Sequence, residues 1–169
     1  MANLWIAARR PLAVAFGIGC AVSLAASGRV TARLALPATL YWSFVPLLEI
    51  AGLAAVLRRR MRADLIDQFF AGHGPWLLWL AAFAALWSFV PAPVAFGHSA
   101  YPQFWYVMGA LAAAWSAWID FAFFQRAGKR SCAEAARDVL LQRLVCWPLV
   151  VAIFVAPAGW QVMASRLGL

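Results

Sequence analysis

Five apolar runs, each about 20 residues long, limit what this chain can fold into. They cover residues 11–28, 34–57, 75–97, 104–124 and 144–164. At about 1.5 Å rise per residue, a helix of that length crosses a hydrocarbon core about 30 Å thick. Because a backbone in lipid must satisfy its own hydrogen bonds, each run is predicted to be a spanning helix. The predicted fold class is an all-α membrane protein, a bundle of five transmembrane helices forming one polytopic membrane domain over residues 1–169.

The composition excludes an ordinary soluble fold. Hydrophobic residues make up 66% of the chain, charged residues 12%, and the mean hydropathy is +0.80. A net charge of +8 would indicate a nucleic-acid partner in a soluble protein. Here the cations stand in short loops between apolar runs, where anionic lipid heads account for them. We therefore predict a lipid bilayer with anionic head groups as the partner, and no nucleic acid.

The basic residues also predict how the chain is oriented. With the amino terminus inside, eleven of them lie on the inner side: Arg9, Arg10, Arg58, Arg59, Arg60, Arg62, Arg126, Lys129, Arg130, Arg137 and Arg143. Three lie on the outer side: Arg29, Arg33 and Arg166. By the positive-inside rule, the amino terminus is cytoplasmic and the carboxyl terminus is outside. Since Lys129 is the only lysine, and Arg, Ala and Gly have GC-rich codons, we predict the inner membrane of a bacterium.

Two further segments are predicted to be short amphipathic helices at the inner interface. In residues 61–71, apolar side chains recur at helical spacing with Asp64 and Asp67 opposite them. The sequence Gly72-His73-Gly74-Pro75 is predicted to break this helix before the third span. The second segment, residues 131–143, starts with the capping box that runs from Ser131 to Glu134. Residues 98–103 are predicted to form a short outer loop.

The pentapeptide WSFVP occurs twice, at residues 42–46 and 87–91. Pro46 and Pro91 each remove one intrahelical hydrogen bond, and Ser43 or Ser88 could satisfy the carbonyl left over. One interpretation is a pair of kinked helices packed together. The other is a polar notch near the midplane that binds an ion or solute. Because these residue types are plentiful here, chance or shared packing accounts for the repeat better than duplication does.

Glu49 is the leading candidate for a functional residue. It precedes the arginine cluster at Arg58 by about nine residues, or roughly 13 Å of helix, which brings it close to the bilayer centre. An ionised group there costs on the order of 3 kcal/mol, so it is usually paired or neutral and faces the bundle. A transport group and a protonated structural acid with one interhelical hydrogen bond are both consistent with this position.

Asp120 is the second polar candidate. It shares a helix face with the small residues Ala112 and Ser116, which predicts a close helix contact. Arg143, at the inner start of the fifth span, is a possible ion-pair partner, as are Arg126 and Arg130. The first span carries a similar small-residue stripe at Ala13, Gly17, Ala21 and Ala25.

No catalytic or cofactor signature stands out. The spacing of the three cysteines predicts neither a disulfide framework nor a zinc site, and only Cys132 falls in a polar loop. His73 and His98 are predicted at opposite membrane boundaries, so they cannot share a metal. The sequence has no phosphate loop, no G-x-S-x-G and no H-E-x-x-H motif. We therefore predict no cofactor and no metal. The same absence of motifs favours a protein that is not an enzyme.

The function that these observations favour is a non-catalytic helical-bundle scaffold or accessory subunit, with itself or other membrane subunits as partners. The alternative is a small ion or solute carrier, or channel subunit, that uses Glu49. A map of what surrounds Glu49 separates the two hypotheses. A cavity that reaches Glu49 favours the carrier, whereas a seal of leucine and alanine side chains favours the scaffold.

Overall fold

The computed structural model describes the backbone of residues 2–58, 61–89 and 100–167, and the side chains of residues 4–58, 61–89, 106–150 and 152. Its helices are α1 (Ala2–Ser27), α2 (Ala32–Trp42), α3 (Phe44–Leu57), α4 (Ala63–Phe70), α5 (Gly74–Phe89), α6 (Ala100–Arg126) and α7 (Cys132–Leu167). A single 3₁₀ turn, Ala71–His73, joins α4 to α5. The described residues contain no strand, so the all-α class is confirmed for them.

Four helical segments in the described part are long and apolar enough to cross a membrane. They are Leu4–Ser27, Ala32–Leu57, Ala63–Phe89 and Tyr106–Arg126. Large apolar side chains on these segments face outwards, among them Leu40, Phe89 and Trp118, which are 76%, 79% and 70% exposed. Such a surface suits lipid rather than water and fits a multi-pass membrane protein.

The helices do not begin and end where the predicted apolar runs do. α1 begins at Ala2 rather than at Pro11, so Arg9 and Arg10 lie inside the helix. The second run is bent, because α2 ends at Trp42 and α3 begins at Phe44. The predicted outer loop at 98–103 is shorter, since α6 begins at Ala100, and residues 98 and 99 fall outside the described residues.

The two predicted interfacial helices also differ from expectation. α4 is present, but it passes through the 3₁₀ turn straight into α5, and Phe69 and Phe70 are buried in the protein core at 1% and 3% exposure. Residues 131–143 are not a separate helix, because α7 runs unbroken to Leu167 through Pro148 and Pro157. Its predicted capping box is present: Ser131 N–H donates to Glu134 Oε2 at 2.9 Å, and Glu134 N–H donates to Ser131 Oγ at 3.3 Å.

Arginine–aspartate contacts fix α4 and the start of α7. Arg9 donates to both carboxylate oxygens of Asp67, at 2.7 and 2.8 Å, and Arg10 donates to the Asp67 carbonyl at 3.0 Å. This bidentate geometry joins α1 to α4. On α7, the buried Asp138 lies 3.0 Å from Arg130 Nε.

Five helices close a ring. α1 packs against α5, α5 against α6, α6 against α7, α7 against α3, and α3 against α1. α2 packs along α1 through a stripe of small side chains. Gly19 lies so close to Thr39 and to the Ala35 carbonyl that a Cβ would collide with both, and the flanking Ala15 and Ser23 are fully buried. Gly17, a member of the predicted small-residue stripe, packs against Leu77 of α5 instead.

Candidate functional site

Glu49 lies on the side of α3 that faces the interior of the bundle, and it contacts α7. Its side chain is 13% exposed, and its Oε2 accepts a hydrogen bond from Gln142 Nε2 at 2.8 Å. The backbones of α3 and α7 approach closely at this level, because a Cβ on Gly52 would come within 2.6 Å of Cys146 Sγ. Cys146 in turn donates to the Leu48 carbonyl at 3.3 Å. The acid is therefore held at a tight helix–helix contact by a neutral donor.

His73 approaches the same oxygen of this carboxylate. Its Nε2 lies 3.5 Å from Glu49 Oε2, close enough for an ion pair when the imidazole is protonated. The ring stacks on Phe70 with centroids 4.7 Å apart and meets Phe69 edge-on at 5.3 Å. Gly72 gives α6 room beside this turn, since a Cβ there would come within 2.7 Å of Ile119. These contacts fix the imidazole with its Nε2 towards Glu49.

An ion pair between α6 and α7 adjoins the His73 turn. Arg143 Nη2 lies 2.6 Å from Asp120 Oδ2 and donates to Ser116 Oγ at 2.9 Å. Asp120 Oδ1 is 3.7 Å from the position that a Cβ on Gly72 would take. Because Asp120 adjoins the turn that carries His73, both sets of contacts belong to one buried polar cluster, which we define as Glu49, His73, Asp120, Gln142 and Arg143.

A cavity of about 800 Å³ lies inside the helix ring and reaches this cluster. Glu49 and His73 line it, whereas most of its wall is apolar and aromatic. On α1 the lining runs from Val14 to Ala25, about 16 Å at 1.5 Å per residue. A volume of this size falls within the range of pockets that hold one drug-sized ligand.

The predicted notch residues form part of this region, but not in the predicted way. Pro46 is buried just after the bend between α2 and α3, and its neighbour Val45 lines the cavity. Ser43 Oγ donates to the Leu40 carbonyl at 2.7 Å. Ser88 Oγ donates to the carbonyls of residues 84 and 85, so neither hydroxyl serves the carbonyl four residues before its proline. Pro91 lies outside the described residues.

Of the predicted site residues, the structure brings Glu49, Asp120 and Arg143 into one cluster. The sequence predicts neither His73 nor Gln142 as a member of this cluster, since it puts His73 at the inner boundary and Gln142 in an interfacial helix. One feature of the sequence could have pointed to Gln142. No charged residue lies between Arg143 and Arg166, so residue 142 stands at the edge of an apolar span.

The cluster is suited to proton and charge exchange. A carboxylate and an imidazole 3.5 Å apart can hold or release one proton between them while a neutral amide fixes the carboxylate. Within the described residues, no group of three or more His, Cys, Asp and Glu side chains has the geometry to hold a metal ion. The chain matches no family model, no curated protein and no solved structure.

Proposed function

We propose that this protein is a small multi-pass membrane carrier, or a carrier subunit, that binds a solute in the central cavity and exchanges it for a proton at Glu49 and His73. The single observation that carries the proposal is that the cavity of about 800 Å³ reaches these two side chains. A sealed environment of leucine and alanine would have favoured a purely structural acid. Buried ionisable groups that line an intramembrane cavity commonly mark a transport pathway.

The charges of the cluster give the exchange a physical basis. The charges of Asp120 and Arg143 cancel each other, because the two side chains form an ion pair at 2.6 Å. When the His73 imidazole is neutral, the Glu49 carboxylate gives the cluster one net negative charge. With a protonated imidazole, the cluster is neutral. Uptake of one proton thus removes the charge that faces the cavity, and Gln142 holds the carboxylate in place in both states.

The scaffold hypothesis keeps one specific observation in its favour. The Glu49–Gln142 hydrogen bond and the Gly52–Cys146 contact join α3 to α7, as expected of a structural acid. A scaffold of this kind requires neither the cavity nor the approach of His73. The two functions therefore differ in what a glutamine at position 49 would do.

The proposed setting is the inner membrane of a bacterium, crossed five times, with an inner amino terminus. The fifth span is proposed for residues 144–164 within α7. The arginine distribution supports the orientation, eleven basic residues against three. Anionic lipid heads are the proposed partners of the inner face, with further copies of this chain or other membrane subunits at its sides.

Proteoliposomes with a pH-sensitive dye in the lumen test the carrier. Aromatic solutes of cationic, neutral and anionic charge are added outside in turn. At least one charge class should change the lumenal pH, and Glu49→Gln should abolish that change while its thermal unfolding stays close to that of the parent. Asp64→Asn is the matched control, because Asp64 is an exposed acid paired with Arg62 away from the cavity. A pH change that Glu49→Gln leaves undiminished, or no change with any class, would contradict the proposal.

A further inference from the structure

α5 contributes a row of aromatic rings to the wall of the cavity. Trp79, Phe83 and Trp87 recur every four residues, so they lie on one face of the helix. Phe83 stacks between the two indoles, with centroids 5.6 and 5.7 Å away. At the inner end, Trp76 of α5 meets Trp147 of α7 with centroids 5.0 Å apart. These rings line the cavity along much of its length and end beside Glu49 and His73.

The charge within this cavity has one sign. Among the described residues that line it there is no arginine and no lysine, and Glu49 is the one carboxylate. Arg143 is the nearest cation of the cluster, and it is paired with Asp120 and with Ser116. When His73 is neutral, the donors beside the Glu49 carboxylate are uncharged, and Gln142 Nε2 is the one hydrogen-bonded to it at 2.8 Å. A ligand that compensates this charge carries a positive charge of its own.

We infer that the cavity takes a lipophilic organic cation, an aromatic or alkyl body that bears one delocalised or quaternary positive charge. This inference rests on the proposed carrier function and names its substrate class. The apolar wall suits the body of such a ligand, and ring faces attract cations through their quadrupoles. The Glu49 carboxylate supplies the opposite charge. A neutral apolar solute would leave that charge uncompensated, and an anion would be repelled by it.

Proton and cation compete in this arrangement. The groups that face His73 and Glu49 are the Cys146 thiol and the Gln142 amide from α7, and the Asp120–Arg143 pair between α6 and α7. Of these, only the pair carries charge, and it sums to zero. Protonation of His73 therefore cancels the negative charge that holds the cation, so a cation leaves as a proton arrives. Cation affinity should fall as the pH falls.

Two ions of the same shape and opposite charge provide the test. Binding of tetraphenylphosphonium and of tetraphenylborate is measured by isothermal titration on the purified full chain in nanodiscs of zwitterionic lipid. The parent protein should bind the phosphonium at least tenfold more tightly than the borate. Glu49→Gln should lose at least tenfold in phosphonium affinity, together with its pH dependence, and Asp64→Asn should lose neither.

A second variant tests the aromatic wall without touching the acid. Phe83→Leu keeps the apolar volume but removes one ring face, so phosphonium affinity should fall about two- to tenfold while borate affinity changes less. Equal binding of the two ions, or tighter binding of the borate, overturns the inference. If neutral or anionic solutes nevertheless drive the lumenal pH change, the carrier function stands without a cationic substrate. If no class drives it and neither ion binds, both proposals fall.

Discussion

Replacing Arg143 by glutamine should destabilise the bundle by about 3 kcal/mol, because it leaves Asp120 as an uncompensated buried charge. The Asp120 side chain is 5% exposed and that of Arg143 is 18% exposed, so water screens the pair little. The contact of 2.6 Å is accompanied by hydrogen bonds to Ser116 Oγ at 2.9 Å and to the Ala113 carbonyl at 3.5 Å, so one substitution breaks three contacts. Removing one partner of such a buried pair costs about 3–5 kcal/mol, and the lower end allows for the residual exposure of Arg143.

A double-mutant cycle separates this cost from general damage. Asp120→Asn combined with Arg143→Gln leaves two neutral amides, so the pair should cost much less than the sum of the single changes. Arg137→Gln is the matched control, since Arg137 is 61% exposed and Asp138 keeps Arg130, and it should cost less than about 1 kcal/mol. Equilibrium unfolding in detergent micelles measures all four. Strictly additive costs, or a loss below about 1 kcal/mol for Arg143→Gln, would refute the argument.

Three further outcomes are expected. A water-soluble maleimide should modify the exposed Cys132 rapidly and the buried Cys146 only after unfolding, as read by mass spectrometry; equal rates would contradict the α3–α7 contact. Gly52→Ala should destabilise the protein by about 1–3 kcal/mol in the same unfolding assay, because its Cβ would meet Cys146 Sγ at 2.6 Å. The Ser131 amide and hydroxyl hold the pKa of Glu134 below its ordinary value of 4.5. The stability that this cap contributes is therefore present above pH 4.5, and it is lost as the pH falls through the lower pKa of the folded state. An NMR titration of the Glu134 carboxyl checks the direction, and a midpoint at or above 4.5 would exclude the cap.

The sequence located the acids better than their partners. Glu49 and Asp120 stand out because an acid within an apolar run must meet something buried, and composition alone shows this. Partner identity depends on helix rotation and on where helices continue. Gln142 is one of several polar residues near the start of α7, and the uncharged stretch after Arg143 places it at the edge of an apolar run without identifying its partner. Only the packing of α3 on α7 makes Gln142 the hydrogen-bond partner of Glu49.

His73 shows a second reason why sequence reasoning stops short. Glycines and proline normally mark a break, yet here the chain makes one 3₁₀ turn and continues as helix. Pro75 falls in the first turn of α5, where its missing N–H is tolerated. Gly72 is required by the approach of Ile119 from α6 rather than by a loop. The same residue types thus serve a tight packing contact, and the imidazole between them is carried into the bundle.

The order in which the ring is synthesised has a consequence for its assembly. Glu49 and Gln142 are separated by 93 residues, so α3 leaves the ribosome long before the donor that fixes its acid. Until α7 is made, the ring has a gap between α3 and α6, and the cluster lacks Gln142 and Arg143. The last helix therefore closes the ring and completes the cluster. A chain that ends after Arg126 would leave both buried acids without their donors, Gln142 for Glu49 and Arg143 for Asp120.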